Sequence, residues 1–490
     1  MPGVFSRLVA PTVFLWALSN LPSTHAVQTT TITTDLYPQI WAGWGVSLAW
    51  WANIFGDRED LADVVFSLDS TYWSPGSVTL PGLGLNILRY NAGACSWNTI
   101  NSTVKMVPSA NIPASKQMEG YWLDGLSTDP SSSSWNWTVD ANQRTMMLNA
   151  QARGADTFEL FSNSPMWWQL SNLNPSGASG GGSNLPASQY QNHAIYLSTI
   201  ALYAQENWGI TFTSIEAFNE PASDWWVSTG TQEGCHFDAA SQAALIPILH
   251  EEMKARGLDS TVIASSDENT FELALEGWDT ITKATEKADV GRVNTHGYEA
   301  LSGPRSDLRA AATSAGQELW DSEYGDSDDT GATLVQVIMD DIILMQPNAW
   351  VHWQAVDSSD WGLITGDITT ATLDGATTKY YMLAQFSRHI RSGMQFLNST
   401  SSNVVPAINQ DNDTLVIVAA NWDAEETFTF DLSAFAEIPD DGTAVSSWLT
   451  DTSGDSLYAS ASGVVIENKS ISLSIPSDTV QTFEIYGVKI

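Results

Sequence analysis

Positive charge is scarce in this chain: 19 lysines and arginines stand against 56 aspartates and glutamates, a formal net charge of −37. Such a surface repels phosphate backbones and no basic stripe offsets it, which excludes nucleic acid as a partner. Cysteine is scarcer still in number. Cys95 and Cys235 are the whole complement, so one disulfide is the limit, and because both follow expected strands that bridge is the expectation. Two thiols without paired histidines do not make a tetrahedral zinc site. The seven histidines show no H-E-x-x-H spacing, so neither a metal nor another cofactor is expected. Long apolar runs are missing as well. The leading one, Leu8 to Leu18, is too short to cross a bilayer, and membrane residence is not expected. Charged residues make up 15% of the chain against 43% hydrophobic ones, the balance of a folded protein with large cores. Few lysines beside many carboxylates also suit work in acid.

The leading apolar run has another use. Arg7 precedes it and Thr24-His25-Ala26 follows it, the pattern of an export signal removed after residue 26. A secreted, extracellular protein is expected. Five N-x-S/T triplets, at Asn101, Asn136, Asn398, Asn412 and Asn468, fit glycosylation on a eukaryotic secretory route. A monomer is the expected state.

Residues 27–40 open the mature chain with a Thr-rich alternating run, Thr29 to Leu36, which reads as an edge strand in need of a sheet elsewhere. From Trp41 short apolar runs alternate with helical patterns. The strand candidates are Gly43 to Ser47, Leu83 to Tyr90, Thr157 to Phe161, Phe212 to Phe218, Thr261 to Ser265, Val290 to Thr295, Glu318 to Asp321 and Ala349 to Trp353. Between them, sets such as Leu334, Val337, Ile338, Ile342 and Met345 recur at the three-and-four spacing of one buried helix face. Eight strands in strict alternation with helices over residues 41–391 predict an α/β fold, a (β/α)8 barrel. After a last helix, Lys379 to Arg391, the period becomes two, as in Thr427 to Phe430 and Ser470 to Ile475. Residues 392–490 therefore read as a β-sandwich, which the strand of residues 27–40 joins.

The chemistry centres on Phe212 to Pro221. This run ends in Asn219-Glu220-Pro221, and a proline there cannot extend a central strand, so an amide and a carboxyl stand where strand becomes loop. A second carboxyl, Glu323, ends the run from Glu318 and is followed by Tyr324-Gly325. All strand tips of a parallel barrel open on one face, so the two meet there. Paired carboxyls of this kind suit glycoside hydrolysis: one protonates the leaving oxygen and the other meets the developing oxocarbenium ion. A separation of about 5 to 5.5 Å between the carboxyl carbons of Glu220 and Glu323 is expected if the second attacks directly. Among 22 tryptophans, whose flat faces stack on sugars, roughly a third are expected to line a cleft. Trp50, Trp51, Trp167, Trp168, Trp225, Trp226 and Trp361 all follow strand ends. Gly177-Ala-Ser179-Gly-Gly181 copies a serine-hydrolase elbow without its strand and helix. Asp326-Ser-Asp328-Asp-Thr330-Gly331 starts like a calcium loop but has Val337 at its twelfth position.

On these residues the chain resembles glycoside hydrolase family 30. The resemblance rests on Gly43-Trp-Gly-Val-Ser47, Leu88-Arg89-Tyr90-Asn91, Ser162-Asn-Ser-Pro-Met-Trp167-Trp168, Asn219-Glu220-Pro221, His296-Gly-Tyr298 and Ser322-Glu323. It implies Glu220 as acid/base, Glu323 as nucleophile and Asn219 on the sugar's 2-hydroxyl. It further implies that Arg89 keeps the nucleophile ionised while His296 and Tyr298 shape the subsite. The implied activity is retaining endo-hydrolysis of β-1,6-galactan side chains in arabinogalactan, with β-1,6-glucan as the alternative substrate and a non-catalytic sugar-binding barrel as a remoter one. No lysine or arginine occurs from Ala310 to Thr378, whereas Asp326, Asp328, Asp329, Asp357 and Asp360 do. A neutral galactan is therefore expected in the cleft, unless a cation such as Arg58 or Lys105 arrives from another loop.

Overall fold

The computed structural model describes residues 27–284, 289–358 and 360–490; the expected export segment, 1–26, lies outside them. Eight parallel strands close a barrel: β1 (Gly43–Ser47), β2 (Ile87–Asn91), β3 (Thr157–Phe161), β4 (Ser214–Glu216), β5 (Val262–Glu268), β6 (Arg292–His296), β7 (Glu318–Tyr324) and β8 (Ala349–Gln354). Helices such as Tyr190–Asn207 after β3 and Ala239–Ala255 after β4 return the chain along the outside. Because these helices cover one face and neighbouring strands fill the other, β1, β2 and β6 are buried at every position. β8 closes on β1 with Ala349 opposite Gly43 and Val351 opposite Gly45. A side chain at Gly45 has no room, since its Cβ would stand 2.8 Å from that of Ile87.

Several strands run further toward the catalytic face than the apolar runs suggest, although β4 is shorter than the expected Phe212 to Phe218 and stops at Glu216. β2 starts at Ile87 instead of Leu83, while β5 and β7 continue to Glu268 and Tyr324. Hydropathy ends such runs early because acids stand near their ends, and those acids stay in the ladder by finding partners: Asp267 and Glu323 meet Arg89, while Glu268 accepts from Gln242 Nε2 at 2.9 Å and the Ala222 N–H at 3.0 Å. The last helix, Thr378–Ser387, stops short of Arg391. Arg388 and Arg391 instead donate to the carbonyls of Leu68 and Gly84.

The C-terminal strands form one ten-stranded, mostly antiparallel sheet, whose halves enclose a core of residues including Ile32, Leu397, Val404, Phe428, Phe430 and Phe483. The N-terminal strand, Val27–Leu36, is not at its edge. Its first half pairs in parallel with Glu426–Asp431, and its second half pairs antiparallel with Gln395–Ser399, with a register shift between Ile32 and Leu36. It therefore joins the two halves. The domain docks on the barrel through apolar residues such as Val405, Val416, Val418 and Val480, which share the barrel's hydrophobic cluster, and through polar contacts: Gln385 Nε2 donates to Thr450 Oγ1 at 2.8 Å, and His389 Nδ1 lies 2.6 Å from Glu484.

Candidate active site

Glu220 leaves β4 in the left-handed backbone region, with φ of 47°. That conformation costs a non-glycine residue of order 1–2 kcal/mol and is held by neighbours. Its N–H donates to the Asp267 carbonyl at 2.7 Å, and its own carbonyl accepts from Trp226 Nε1 at 2.8 Å. Glu323 sits where the register of β7 slips against both neighbouring strands, a bulge that re-aims a side chain. One ligand atom each from Glu220, His296 and Glu323 lie within 4.8 Å of one another, all three residues buried. Glu220 accepts from Asn269 Nδ2 at 2.7 Å and from Trp225 Nε1 at 3.3 Å, while Tyr298 Oη donates to Glu323 at 3.0 Å.

Arg89 is the hub. Its guanidinium reaches Glu323 at 2.6 Å and Glu159 at 3.1 Å, and also pairs with Asp267. It is fully buried; burial alone would weaken its hold on the proton, but the three carboxylates raise its pKa well above the ordinary value. Asp267 is pulled well below the carboxylate range, because Arg89 and His296 outweigh the cost of its burial. Burial raises the Glu323 carboxyl above 4.5, and His296 and Arg89 hold it down only in part. His296, although buried, is pushed up to about 10 by Glu323, Asp267 and Glu220. Its nitrogens stand 3.4 to 3.7 Å from those acids, too far for good hydrogen bonds, so charge holds the ring. Glu220, His296 and Glu323 form a trio that could chelate a cation, but the guanidinium and imidazolium already supply the positive charge a metal would bring.

The two glutamates line a cavity of about 320 Å³ together with Asn219, Tyr298, Trp50, Trp361 and Asp357, all expected there, and with Lys116, Asn163, Gln232 and Trp353, which were not. Asn219 Oδ1 and Asn163 Nδ2 are buried without a hydrogen-bond partner. Trp361 lies against Gly325, where an added Cβ would come within 3.2 Å of its ring. Trp225 stands at the rim, 46% exposed.

Trp51, Trp167, Trp168 and Trp226 do not line the cavity. Trp51, Trp167 and Trp226 are buried, and their indoles donate to Ser47 O at 2.7 Å, Ser96 Oγ at 2.6 Å and Glu220 O. They brace the strand tips from beneath because following a strand end places a ring near the face without saying which side it takes. Trp168 packs edge-on against Trp122. Three tryptophans line the cavity, not a third of 22. The cleft also carries a cation after all: Lys116 enters from the loop after β2, and not Arg58 or Lys105. The expected disulfide is absent. Cys95 and Cys235 are free and buried, Cys95 donating to Glu233 and Cys235 to Asn184, each at 3.1 Å.

Asp267, Glu159, Asn269 and Trp353 were missed. Glu159 and Asp267 lie inside or just beyond apolar runs, where an acid reads as an interruption; the signal available was an arginine on β2 that needed more than one counter-charge. Asp328 accepts from Thr330 and Thr333 as part of a helix-entry turn.

A parallel barrel with two carboxylates on facing tips, one gripped by arginine, and an imidazolium between them defines a glycoside hydrolase of the barrel type. Residues 28–286 match O-Glycosyl hydrolase family 30, and the chain is 51% identical over 468 residues to an endo-beta-1,6-galactanase of Hypocrea rufa, covering 95% of this chain and 96% of that one. It belongs to glycoside hydrolase family 30. It is also 22% identical to an exo-beta-1,6-galactobiohydrolase of Bifidobacterium longum subsp. longum, over 86% of this chain and 36% of that protein. Among solved structures, the catalytic domain of GH30 xylanase C from Talaromyces cellulolyticus superposes with a TM-score of 0.67 at 19% identity, covering 94% of this chain and all of that one.

Proposed function

We propose that the protein is a secreted, retaining endo-β-1,6-galactanase. The observation that carries the substrate is the 51% identity to the Hypocrea rufa enzyme over almost the full length of both chains. An oxygen of each carboxylate lies within 4.8 Å of an oxygen of the other, a closeness that supports retention, since inversion sets the two carboxyl groups about 6.5 to 9.5 Å apart to make room for a water. In the first step Glu323 attacks the anomeric carbon while the bond to the leaving oxygen breaks and Glu220 gives that oxygen its proton. A glycosyl ester on Glu323 results. In the second, Glu220 takes a proton from water, which attacks the same carbon and releases Glu323. Arg89 and Tyr298 hold the Glu323 carboxylate for attack. Export is supported by Arg7, the run from Leu8 and Ala26. The exposed Asn101, Asn398, Asn412 and Asn468 are accessible for glycosylation. A neutral backbone remains the proposed substrate, since Lys116 faces the opposing charge of Asp357.

Incubation with β-1,6-galactan should release internal fragments whose first-formed anomer, followed by proton NMR, is β. Glu323→Ala should abolish release. Release of the α anomer first, or equal activity in the variant, would sink this reading.

A further inference from the structure

The galactanase reading leaves one question that the cavity itself addresses: what distinguishes galactose from glucose. Lys116 ends a short turn, Ala114–Lys116, in the loop after β2. Its ammonium lies 3.7 Å from the centre of the Trp50 ring, and among the described residues no hydrogen-bond acceptor reaches it. Burial lowers its pKa, opposed by the charge of Asp357. Asp357 stands in the same cavity on the loop after β8, one oxygen held by the Ser358 N–H at 2.7 Å and the other by Gln354. The Trp50 face that would stack on a sugar is thus covered by a cation with unused donors, opposite an anion with accepting capacity left.

The arrangement of the glutamates orients the sugar. Glu220 gives its proton to the leaving oxygen, so the leaving group lies toward the loop after β4, where Trp225 and Gln232 stand. The retained sugar lies on the other side, toward Trp50, Lys116, Trp353 and Asp357. In a pyranose C4 is opposite C1, so its hydroxyl points away from both glutamates and into that wall. In a β-1,6 chain O6 carries the next unit and O4 is free, and C4 is the one centre at which galactose and glucose differ.

Resting on the galactanase reading, we propose that Lys116 and Asp357 are the specificity-determining pair of this enzyme: Lys116 donates to the axial 4-hydroxyl of the glycone galactose, and Asp357 accepts from it. An equatorial 4-hydroxyl leaves the half-buried Lys116 ammonium without an acceptor and the remaining accepting capacity of Asp357 unused, which is how sites built on hydrogen bonds reject an epimer.

The test compares wild type, Lys116→Met and Asp357→Asn on β-1,6-galactan and β-1,6-glucan. Methionine keeps the stem over Trp50 and removes the donors. Both variants should lose about tenfold or more of kcat/KM on galactan, with glucan hydrolysis unchanged or improved and the melting temperature preserved. If Lys116→Met does not fold, Lys116→Gln, which keeps a donor, takes its place and should show a smaller loss of the same kind. Equal losses on both polymers, or none, overturn the assignment while leaving the galactanase reading intact. Loss confined to uronic-acid-capped galacto-oligosaccharides overturns it in favour of a carboxylate. Wild type that cleaves glucan and not galactan defeats the galactanase reading, and this one with it.

Discussion

At the scale of single residues, the site works by placing more acid than base in a dry space and then neutralising it locally. His296 shows the balance best. As an imidazolium up to pH about 10, it lowers Glu323, whose carboxyl is otherwise raised by burial. The nucleophile must be ionised, so activity is lost as pH falls through a Glu323 value already above the ordinary one. His296→Gln removes the charge and should move the acid limb of the kcat/KM profile to higher pH, by up to about one unit for each 1.4 kcal/mol lost. An unchanged acid limb would show that His296 does not act through Glu323. Arg89, Glu220 and Glu323 were legible because a charge at the end of an apolar run has few other uses. Asp267 and Glu159 were not, because the need for them arises only where β3, β5 and Arg89 meet.

At the scale of elements, the N-terminal strand differs most from its appearance. Its Thr-rich alternation reads as an edge, yet it is paired on both sides, and Ile32 at its register shift is fully buried in the second core. Period two reports one wet face and says nothing about the number of neighbours. Ile32→Ala should therefore destabilise the protein by about 2–5 kcal/mol in denaturant titration; a loss under about 0.5 kcal/mol, typical of surface positions, would contradict a central strand. A similar tie holds the catalytic loops. Lys379, fully buried, pairs with Asp326 at 2.8 Å and donates to the Asp360 carbonyl at 2.7 Å, joining the loops after β7 and β8 beneath Trp361.

For the whole molecule, titration favours acid. Burial raises Asp140 to about 7, Glu233 to about 8 and Glu268 to about 7. Below the unfolded values near 4 these groups are protonated in both states. As pH rises the unfolded chain ionises first, so stability is lost progressively toward pH 7 to 8. His296 acts in the same direction: its stabilisation is complete below the unfolded histidine value of 6.5 and fades toward 10. Asp267, held low, opposes only below its unfolded value of 3.8. Thermal melts should show the highest Tm near pH 4 to 5 and a fall between pH 5 and 8; a maximum at pH 8 would mean that these acids ionise freely in the fold.

The sequence by itself determined the alternation of strands and helices, the change to period two near residue 392, and the two glutamates at strand tips, because local patterning and strand punctuation are properties of neighbouring residues. Only the tertiary structure decided which tryptophans face the sugar, which acids surround Arg89, that the cysteines stay apart and that Lys116 enters the cleft. Each of those depends on the side from which a loop returns over the barrel, and that is set by packing between elements far apart in the chain.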